Sequence, residues 1–245
     1  MDVALFGAAG YAGLELVKLL AVHPHARLVC AASDTHAGKP IARLIGAPHP
    51  LAFVRTAEAR TARHDVALLA IPPEPARELA AALSSRVVDL SNAHRATHPY
   101  GLASLFAADL AEARIVANPG CYATCAITAL APLVRHGVVD GHFAVSAGSG
   151  VTGAGKTASE DMSLGEMYGE VRAYKVLRHQ HVPEIETALA RLGKPAAQRV
   201  VLTTHLLPVA RGIFMTITAT LARALPADAY RAFYADDPTV TIVDT

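Results

Sequence analysis

The feature that most constrains the fold is an alternation of short apolar runs with amphipathic helical patterns over residues 1–90. The apolar runs are DVALF, ARLVCAAS, DVALLAI and RVVDLS, and the helical patterns are GLELVKLLAVH and PARELAAALSS. Strands that are apolar throughout are typical of a parallel sheet buried on both faces by helices. The pattern therefore predicts a doubly wound, Rossmann-type α/β domain.

The pattern changes after residue 119. We predict a strand at HFAVSAGSG, a glycine-rich polar loop at VTGAGKTASEDMSLGEMYGE, a helix at PEIETALARLG and two β-rich runs at QRVVLTTHLLPV and IFMTITATL. Neighbouring strands without an intervening helix favour a mixed sheet in an α+β unit. We therefore expect one domain at residues 1–119 and a second at residues 120–245.

Charge and cysteine content exclude several classes of protein. Lys and Arg number 22 against 21 Asp and Glu, which gives a net charge of +1. Without a block of like charges, neither nucleic acid nor an anionic membrane is an expected partner. The three cysteines are an odd number without metal-finger spacing, and the N-terminus has no secretion-leader pattern. We expect reduced thiols and a cytoplasmic protein.

A glycine-rich loop follows the first apolar run. Its sequence is GAAGYAG, a G-x-x-G-x-x-G spacing, and a helix is expected to begin near Tyr11. Glycines let phosphate groups approach backbone N–H groups and the positive end of the helix. Strand, loop and helix in this order predict a dinucleotide-binding site in the first domain. The predicted cofactor contacts of this loop are Gly7, Gly10, Tyr11, Ala12 and Gly13.

The second strand ends at Ser33 and Asp34, where the ribose of an adenosine half would lie. An aspartate there favours a free 2′-hydroxyl, because a carboxylate repels a 2′-phosphate. A turn aspartate in SDTHAG is the alternative interpretation. We include Ser33 and Asp34 among the predicted cofactor contacts.

The stretch NPGCYATCAITALAPL places Cys121 directly after Pro-Gly and at the start of a predicted helix. A helix N-terminus carries open N–H groups and about half a positive charge, which stabilises a thiolate. The same N–H groups can hold an oxyanion on an attacked carbonyl. Cys121 is therefore a predicted nucleophile, whereas Cys125 and Cys30 are predicted to pack as small hydrophobes.

His179 and His181 lie in a predicted loop in RHQHVPEIETAL, before a helix with Pro183 and Glu184 in its first turn. Imidazole titrates near neutral pH, so either histidine can act as a general acid or base. A purely structural histidine is the alternative. No third ligand has the spacing for a metal site with the His-x-His pair, so we predict no metal.

Cationic side chains recur in the polar segments and favour an anionic substrate, because Arg binds phosphate and carboxylate through a rigid fork. A solvated surface position is the alternative for each of them. The predicted substrate contacts are Arg95, Asn118, Lys156, Glu166, Arg172 and Arg211.

Six stretches occur in the order found in one known family: GAAGYAG, VVDLSNAHR, NPGCYAT, SGVTGAGKTAS, EVRAYKVLRHQHVPEI and HLLPVARGIFMTI. With them the chain resembles the N-acetyl-gamma-glutamyl-phosphate reductases of the aspartate-semialdehyde-dehydrogenase-like superfamily. The resemblance implies NADPH-dependent reduction of a small acyl phosphate to an aldehyde in arginine biosynthesis, with release of inorganic phosphate. It implies that Cys121 forms a thioester and that His179 or His181 is the acid/base, of which we favour His181. A homodimer or homotetramer is also implied.

Two departures from the family leave alternatives open. The segment SDTHAG has no Arg for a 2′-phosphate, so NAD is the alternative to NADP. The resemblance also implies a C-terminal segment that returns to the cofactor domain, which we expect residues 120–245 to lack. The alternative functions are reduction of aminoadipyl phosphate in lysine biosynthesis and a catalytically weak nucleotide-binding paralogue. A cysteine hydrolase that uses no nicotinamide is disfavoured by the glycine loop.

Overall fold

The computed structural model describes residues 1–155, 164–193 and 199–243. The chain divides into two compact units, Met1–Pro119 and Gly120–Thr245, which we call the first and the second unit. Among the described residues, no helix is both long and apolar enough to cross a membrane.

The first unit contains a five-stranded parallel sheet with the strand order β2-β1-β3-β4-β5. Its elements are β1 (Asp2–Phe6), α1 (Tyr11–Ala21), β2 (Arg27–Ala32), α2 (Ala42–Ile45), α3 (Thr56–Thr61), β3 (Val66–Leu69), α4 (Pro73–Ala82), β4 (Arg86–Asp89), α5 (Ala103–Leu110) and β5 (Ile115–Ala117). The strand order reverses beside β1, and ligands of such sheets bind at the carboxyl ends of the strands at this point.

Helices cover both faces of the parallel sheet. On one face, Phe6 and Leu69 pack in a buried cluster with Leu79 of α4. On the other face, Leu5 packs in a second cluster with Val17 of α1. Because the strands are buried on both sides, they are apolar along their length, and the predicted Rossmann-type fold is confirmed.

The segment between β4 and β5 contains a helix that the sequence pattern does not predict. This helix, α5, is interrupted at Phe106, whose φ and ψ are −128° and 23°. The Phe106 ring packs edge-on against Tyr100 with 5.9 Å between ring centroids. Packing of aromatic rings, rather than a regular helical period, fixes this segment.

The second unit is built on a four-stranded mixed sheet with the order β7-β8-β6-β9. Its elements are α6 (Cys121–His136), β6 (Val139–Gly150), a 3-10 helix (Val151–Ala154), α7 (Leu164–Met167), β7 (Arg172–Tyr174), α8 (His181–Ala190), β8 (Val200–Leu207), β9 (Ile213–Leu221) and α9 (Ala229–Phe233). Strand β6 pairs parallel with β8 and antiparallel with β9, and β7 pairs antiparallel with β8. The predicted mixed sheet is confirmed.

The two faces of the mixed sheet differ in burial. Phe143, Val145 and Leu202 are buried on the face that packs against α6 and α8. The opposite face, which we call the outer face, carries exposed and mostly small uncharged side chains. Its exposed residues include Ala144, Ser146, Val201, Phe214, Thr216, Thr218 and Thr220, together with Asp140, which lies opposite Thr220.

Candidate active site

The glycine-rich loop of the first unit has no room for larger side chains. Gly7 has a φ of +79°, and a Cβ atom there would lie 2.1 Å from the carbonyl oxygen of Ala70. A Cβ atom on Gly13 would lie 2.3 Å from the carbonyl oxygen of Gly7. The loop is therefore closed tightly against β3 and α1, and only glycine fits at these two positions.

The loop leads directly into the N-terminus of α1. Gly10 is the N-cap residue of α1 and supplies no side-chain cap. Tyr11 and Ala12, in the first turn, are exposed. Backbone N–H groups of this turn can therefore meet the phosphates of a dinucleotide, at the point where the strand order reverses. The residues of this loop fit a nicotinamide dinucleotide.

Asp34 lies after β2, as predicted, and its carboxylate caps α3. Its Oδ1 accepts a hydrogen bond from the N–H of Thr56 at 2.8 Å, and its Oδ2 accepts one from Thr56 Oγ1 at 2.8 Å. These hydrogen bonds lower the pKa of Asp34. Ser33 Oγ lies 3.4 Å from both Thr35 Oγ1 and His36 Nδ1.

The predicted contacts Arg95 and Asn118 come together at the carboxyl ends of β4 and β5. Arg95 donates from Nε to the carbonyl oxygen of Asn118 at 2.9 Å and from Nη2 to that of Leu90 at 3.1 Å. The N–H of Asn118 donates to the carbonyl oxygen of Asp89 at 2.8 Å. Arg95 therefore orders the segment that leads to Pro119 and the predicted nucleophile.

Cys121 is the first residue of α6 and is exposed, whereas Cys125, one turn later, is half-buried and Cys30 is buried. Gly120 is the N-cap of this 16-residue helix and supplies no side-chain cap. Burial raises the pKa of both Cys30 and Cys125. These thiols are therefore protonated near neutral pH, and only Cys121 combines exposure with a helix N-terminus.

His181 lies against the residue that precedes Cys121. A Cβ atom on Gly120 would lie 2.2 Å from Nε2 of His181 and 2.5 Å from its Cε1. The N–H of Gly120 donates to Oε1 of Glu184 at 2.8 Å, which ties the N-terminus of α6 to the first turn of α8. The second unit therefore brings the predicted nucleophile and His181 together.

The sequence predicts that His181 lies in a loop, but in the structure it is the first residue of α8. Its N–H donates to Nδ1 of His179 at 3.2 Å, so the ring of His179 occupies the start of the helix. Both histidines are buried. Pro183 and Glu184 follow within the first turn, as the sequence predicts, and the helix starts two residues before Pro183.

His179 is enclosed by aromatic rings. Its ring centroid lies 5.1 Å from that of Tyr122, 5.9 Å from that of Tyr174 and 4.6 Å from that of His181. Burial, and then the positive charge of Lys175, lower the pKa of His179. His179 is therefore neutral near pH 7.

Two tyrosines that no sequence pattern singles out complete this cluster. Tyr174 donates from its hydroxyl to that of Tyr122 at 3.1 Å, and Tyr122 donates to the carbonyl oxygen of His205 at 3.1 Å. Burial raises the pKa of Tyr174 well above its usual range, so it remains a hydrogen-bond donor. Tyr122 adjoins Cys121 in sequence, which is the signal that could have found it.

The remaining predicted substrate contacts, Glu166, Arg172 and Arg211, differ from one another in exposure and in hydrogen-bond partners. Arg172 in β7 binds both carboxylate oxygens of Glu170, at 3.0 Å from Nε and 2.7 Å from Nη2. Glu166 in α7 and Arg211 in the turn after β8 are exposed. Lys156 lies outside the described residues.

Two protein families match the chain, one in each unit. The semialdehyde dehydrogenase NAD binding domain matches residues 2–113, and the semialdehyde dehydrogenase dimerisation domain matches residues 121–245. The glycine loop and these matches define the class of protein: a nicotinamide-dependent oxidoreductase of the semialdehyde dehydrogenase type. The predicted enzyme class is confirmed.

Similar proteins of known name show which family within this class the chain belongs to. The N-acetyl-gamma-glutamyl-phosphate reductase of Salinispora arenicola is 39% identical over 98% of this chain and 78% of its own length. That of Bacillus cereus is 34% identical over 96% of this chain and 76% of its own length. The chain belongs to the N-acetyl-gamma-glutamyl-phosphate reductase family, as the motifs predict.

Solved structures share the fold at low sequence identity. Aspartate semialdehyde dehydrogenase II of Vibrio cholerae, complexed with ASA, has a TM-score of 0.74 at 16% identity and covers 96% of this chain and 78% of its own. Aspartate semialdehyde dehydrogenase of Candida albicans, solved with NADP, has a TM-score of 0.70 at 14% identity and covers 95% of this chain and 75% of its own.

Proposed function

We propose that this protein reduces N-acetyl-gamma-glutamyl phosphate to the semialdehyde in arginine biosynthesis, through a thioester on Cys121. The relatives at 39% and 34% identity carry the name of this activity. The observation that carries the proposal is that Cys121, the first residue of α6, is exposed, while His181 lies against the preceding Gly120. A cysteine beside an imidazole at a helix N-terminus is suited to nucleophilic attack on an acyl group.

The nucleophile and the backbone donors that we propose for the first half of the reaction lie in the second unit. The Cys121 thiolate attacks the acyl carbon, the bond from that carbon to the phosphate oxygen breaks, and inorganic phosphate leaves. Backbone N–H groups in the first turn of α6 would stabilise the negative charge that develops on the carbonyl oxygen. The product is a thioester, whose carbonyl accepts hydride more readily than that of an ester.

The second half releases the aldehyde and restores the thiol. When bound, the nicotinamide supplies the hydride for the thioester carbon. The carbon–sulfur bond of the resulting thiohemiacetal then breaks, and its electron pair returns to Cys121. We assign proton transfer to His181, because its Nε2 faces Gly120. We assign a positioning role to His179, which is buried between the rings of Tyr122 and Tyr174.

We assign substrate contacts to the polar residues predicted from the sequence: Arg95, Asn118, Lys156, Glu166, Arg172 and Arg211. Arg95 and Asn118 are joined by a hydrogen bond, and they would act together as one element of the substrate site. Arg172 shares its charge with Glu170, so we expect it to orient the substrate and not to bear its phosphate.

The proposed cofactor is NADPH. Asp34 is the residue whose charge would oppose a 2′-phosphate, and both of its oxygens already accept hydrogen bonds from Thr56. Ser33, Thr35 and His36 lie beside it, and their hydroxyl and imidazole groups can donate to a phosphate. A higher kcat/KM for NADPH than for NADH is expected, and the reverse preference would overturn the cofactor assignment while leaving the reductase activity in place.

We also propose that the chain forms a homodimer through the outer face of the second unit, or a homotetramer built from such dimers. The match of this unit to a dimerisation domain supports the proposal. Most of its exposed residues are uncharged, with Asp140, opposite Thr220 at one end of the face, as a charged one. We propose a cytoplasmic location, where the thiol of Cys121 would stay reduced.

The activity is tested in the reverse direction with purified protein, N-acetylglutamate semialdehyde, inorganic phosphate and NADP. We expect formation of NADPH, followed by its absorbance, and loss of that activity in Cys121→Ala. Because Cys121 is exposed, the variant should fold, which its circular dichroism and Tm would check. Binding of NADP without turnover by the intact chain would contradict the proposal, and turnover of only the aminoadipate semialdehyde would reassign the substrate.

A further inference from the structure

Two of the three thiols of the chain lie on one face of α6. Cys121 is the first residue of this helix and Cys125 follows one turn later, and side chains four residues apart on a helix lie on the same side. The stripe continues to Ala129 and Leu133, which line a cavity of about 370 Å³ together with Cys125. Cys121 therefore lies at the exposed N-terminal end of the stripe, and Cys125 borders the cavity one turn away.

The spacing of Cys121 and Cys125 suits a disulfide after a small local change of the helix. The rise and radius of an α-helix place Cα atoms four residues apart at about 6 Å, within the range of about 4.4–6.8 Å that disulfides span. The Cβ atoms of such a pair lie about 5–6 Å apart, whereas a disulfide needs about 3.5–4.5 Å. A bond between the two sulfurs therefore requires the first turn of α6 to open.

The turn that has to open is the end of the helix. Gly120, the N-cap of α6, supplies no side-chain cap. Its carbonyl oxygen accepts hydrogen bonds from the N–H of Thr124 at 2.8 Å and from Thr124 Oγ1 at 3.0 Å. Helix termini open at a lower free energy than helix centres. Opening of this one turn brings the two sulfurs together while the buried part of α6 keeps its packing.

The two thiols differ in reactivity. Cys121 combines exposure with a helix N-terminus, which stabilises the thiolate, the form that peroxides oxidise. Burial, and then the charge of Cys121, raise the pKa of Cys125, so that Cys125 stays protonated and does not compete for the oxidant. An exposed, reactive cysteine next to a protected one is typical of a pair in which the second thiol captures the oxidised first one.

The chemistry has two steps and uses a hydroperoxide as the oxidant. The Cys121 thiolate attacks one peroxide oxygen, the O–O bond breaks, and the other oxygen leaves with a proton as water or an alcohol. The sulfur of Cys121 has then lost two electrons and is a sulfenic acid. The sulfur of Cys125 attacks it, the S–O bond breaks, and the hydroxyl group leaves as water with the proton of Cys125.

We propose that Cys121 and Cys125 form a redox pair, in which Cys125 captures oxidised Cys121 as a reversible disulfide. Without Cys125, further peroxide oxidises the sulfenic acid to a sulfinic acid, which reducing agents do not restore. The disulfide removes the proposed nucleophile, so the effect on activity rests on the proposed function. The disulfide itself does not depend on that function.

The test treats the purified unsubstituted protein with hydrogen peroxide and then alkylates the remaining thiols under denaturing conditions. Mass spectrometry is expected to show a disulfide between Cys121 and Cys125 within one chain, which dithiothreitol removes. The reductase activity is expected to be lost with peroxide and to return with dithiothreitol. In Cys125→Ala the activity before oxidation is expected to be unchanged, whereas about a tenth or less should return after peroxide, with sulfinic acid at Cys121.

Cys30→Ala is the matched control, because it removes a thiol that is buried in β2 of the first unit. Disulfide formation and recovery of activity should equal those of the unsubstituted protein. Sulfinic acid at Cys121 without a disulfide in the unsubstituted protein, or full recovery of Cys125→Ala, would overturn the inference, as would a disulfide that joins two chains. An unsubstituted protein without reductase activity would overturn the proposed function, while the peptide masses would still decide the redox pair.

Discussion

At the scale of single residues, Gly120 separates Pro119 from Cys121, and the ring of His181 lies where a side chain on Gly120 would be. In Gly120→Ala the new methyl group would lie 2.2 Å from Nε2 of His181, so the imidazole must move. Displacement of a catalytic group by about 1 Å can lower the rate about 100-fold. We expect a loss of kcat of this order while NADP affinity, measured by calorimetry, is unchanged. Full activity in Gly120→Ala would show that His181 does not act at this position.

The pKa of His179 predicts how stability responds to acid. Burial lowers the pKa of the folded form from its ordinary value of 6.5, with a further contribution from Lys175. As the pH falls below 6.5, the unfolded chain binds a proton that the folded chain does not, so the free energy of unfolding decreases until the lower folded pKa is passed. The His179→Gln variant lacks this pH-dependent contribution to the free energy of unfolding.

The measurement compares the Tm of both proteins between about pH 7.5 and about pH 5.5. The decrease should be smaller in His179→Gln than in the unsubstituted protein. Equal decreases in the two proteins would show that the folded pKa of His179 is not lowered.

Residues at this scale differ in how far the sequence reveals them. Cys121 and the two histidines can be proposed as site residues from the sequence, because proline, glycine and helix starts are local signals. The hydrogen bond from Tyr174 to Tyr122 joins β7 to α6, and no local pattern predicts it. The second hydrogen bond of Tyr122, to His205 on β8, depends on the same tertiary packing.

At the scale of elements, Glu184 joins the N-terminus of α6 to that of α8. Gly120 is buried, so removal of its acceptor in Glu184→Ala leaves an unsatisfied N–H group at a cost of about 1–3 kcal/mol. We expect a Tm about 2–12 °C lower and a lower kcat. Glu184→Gln retains an acceptor oxygen and should keep most of the stability. Equal losses in the two variants would show that the carboxylate charge, and not this hydrogen bond, is what matters.

Elements with a strong periodic signal are predicted well, and short elements are not. The strands of the parallel sheet are apolar runs next to a glycine loop, so their type follows from the sequence. Strand β7 has three residues and forms by pairing Arg172–Tyr174 with β8. Strand β6 begins at Val139, before the predicted start at His142, with a register shift between Asp140 and Phe143. Both features are set by partner strands that are distant in sequence.

At the scale of the whole molecule, the outer face of the second unit exposes apolar surface that a second protein chain could cover. Phe214 is 72% exposed and lies opposite Gly148 on the neighbouring strand. Thr216 lies opposite Ser146, and Thr218 lies opposite Ala144. A face of mostly small uncharged side chains with an exposed aromatic ring is typical of a surface that packs against another protein chain.

Phe214→Asp tests whether a second copy of this chain covers the outer face. A carboxylate buried in a desolvated interface has a large desolvation penalty, so we expect the proposed dimer to dissociate to monomers at micromolar concentration. The molar mass is measured by light scattering after size exclusion. Val22→Asp is the matched control, because Val22 is 81% exposed in the first unit and its substitution should leave the mass unchanged. A Phe214→Asp protein with the mass of the unsubstituted chain would place the oligomer interface elsewhere or exclude an oligomer.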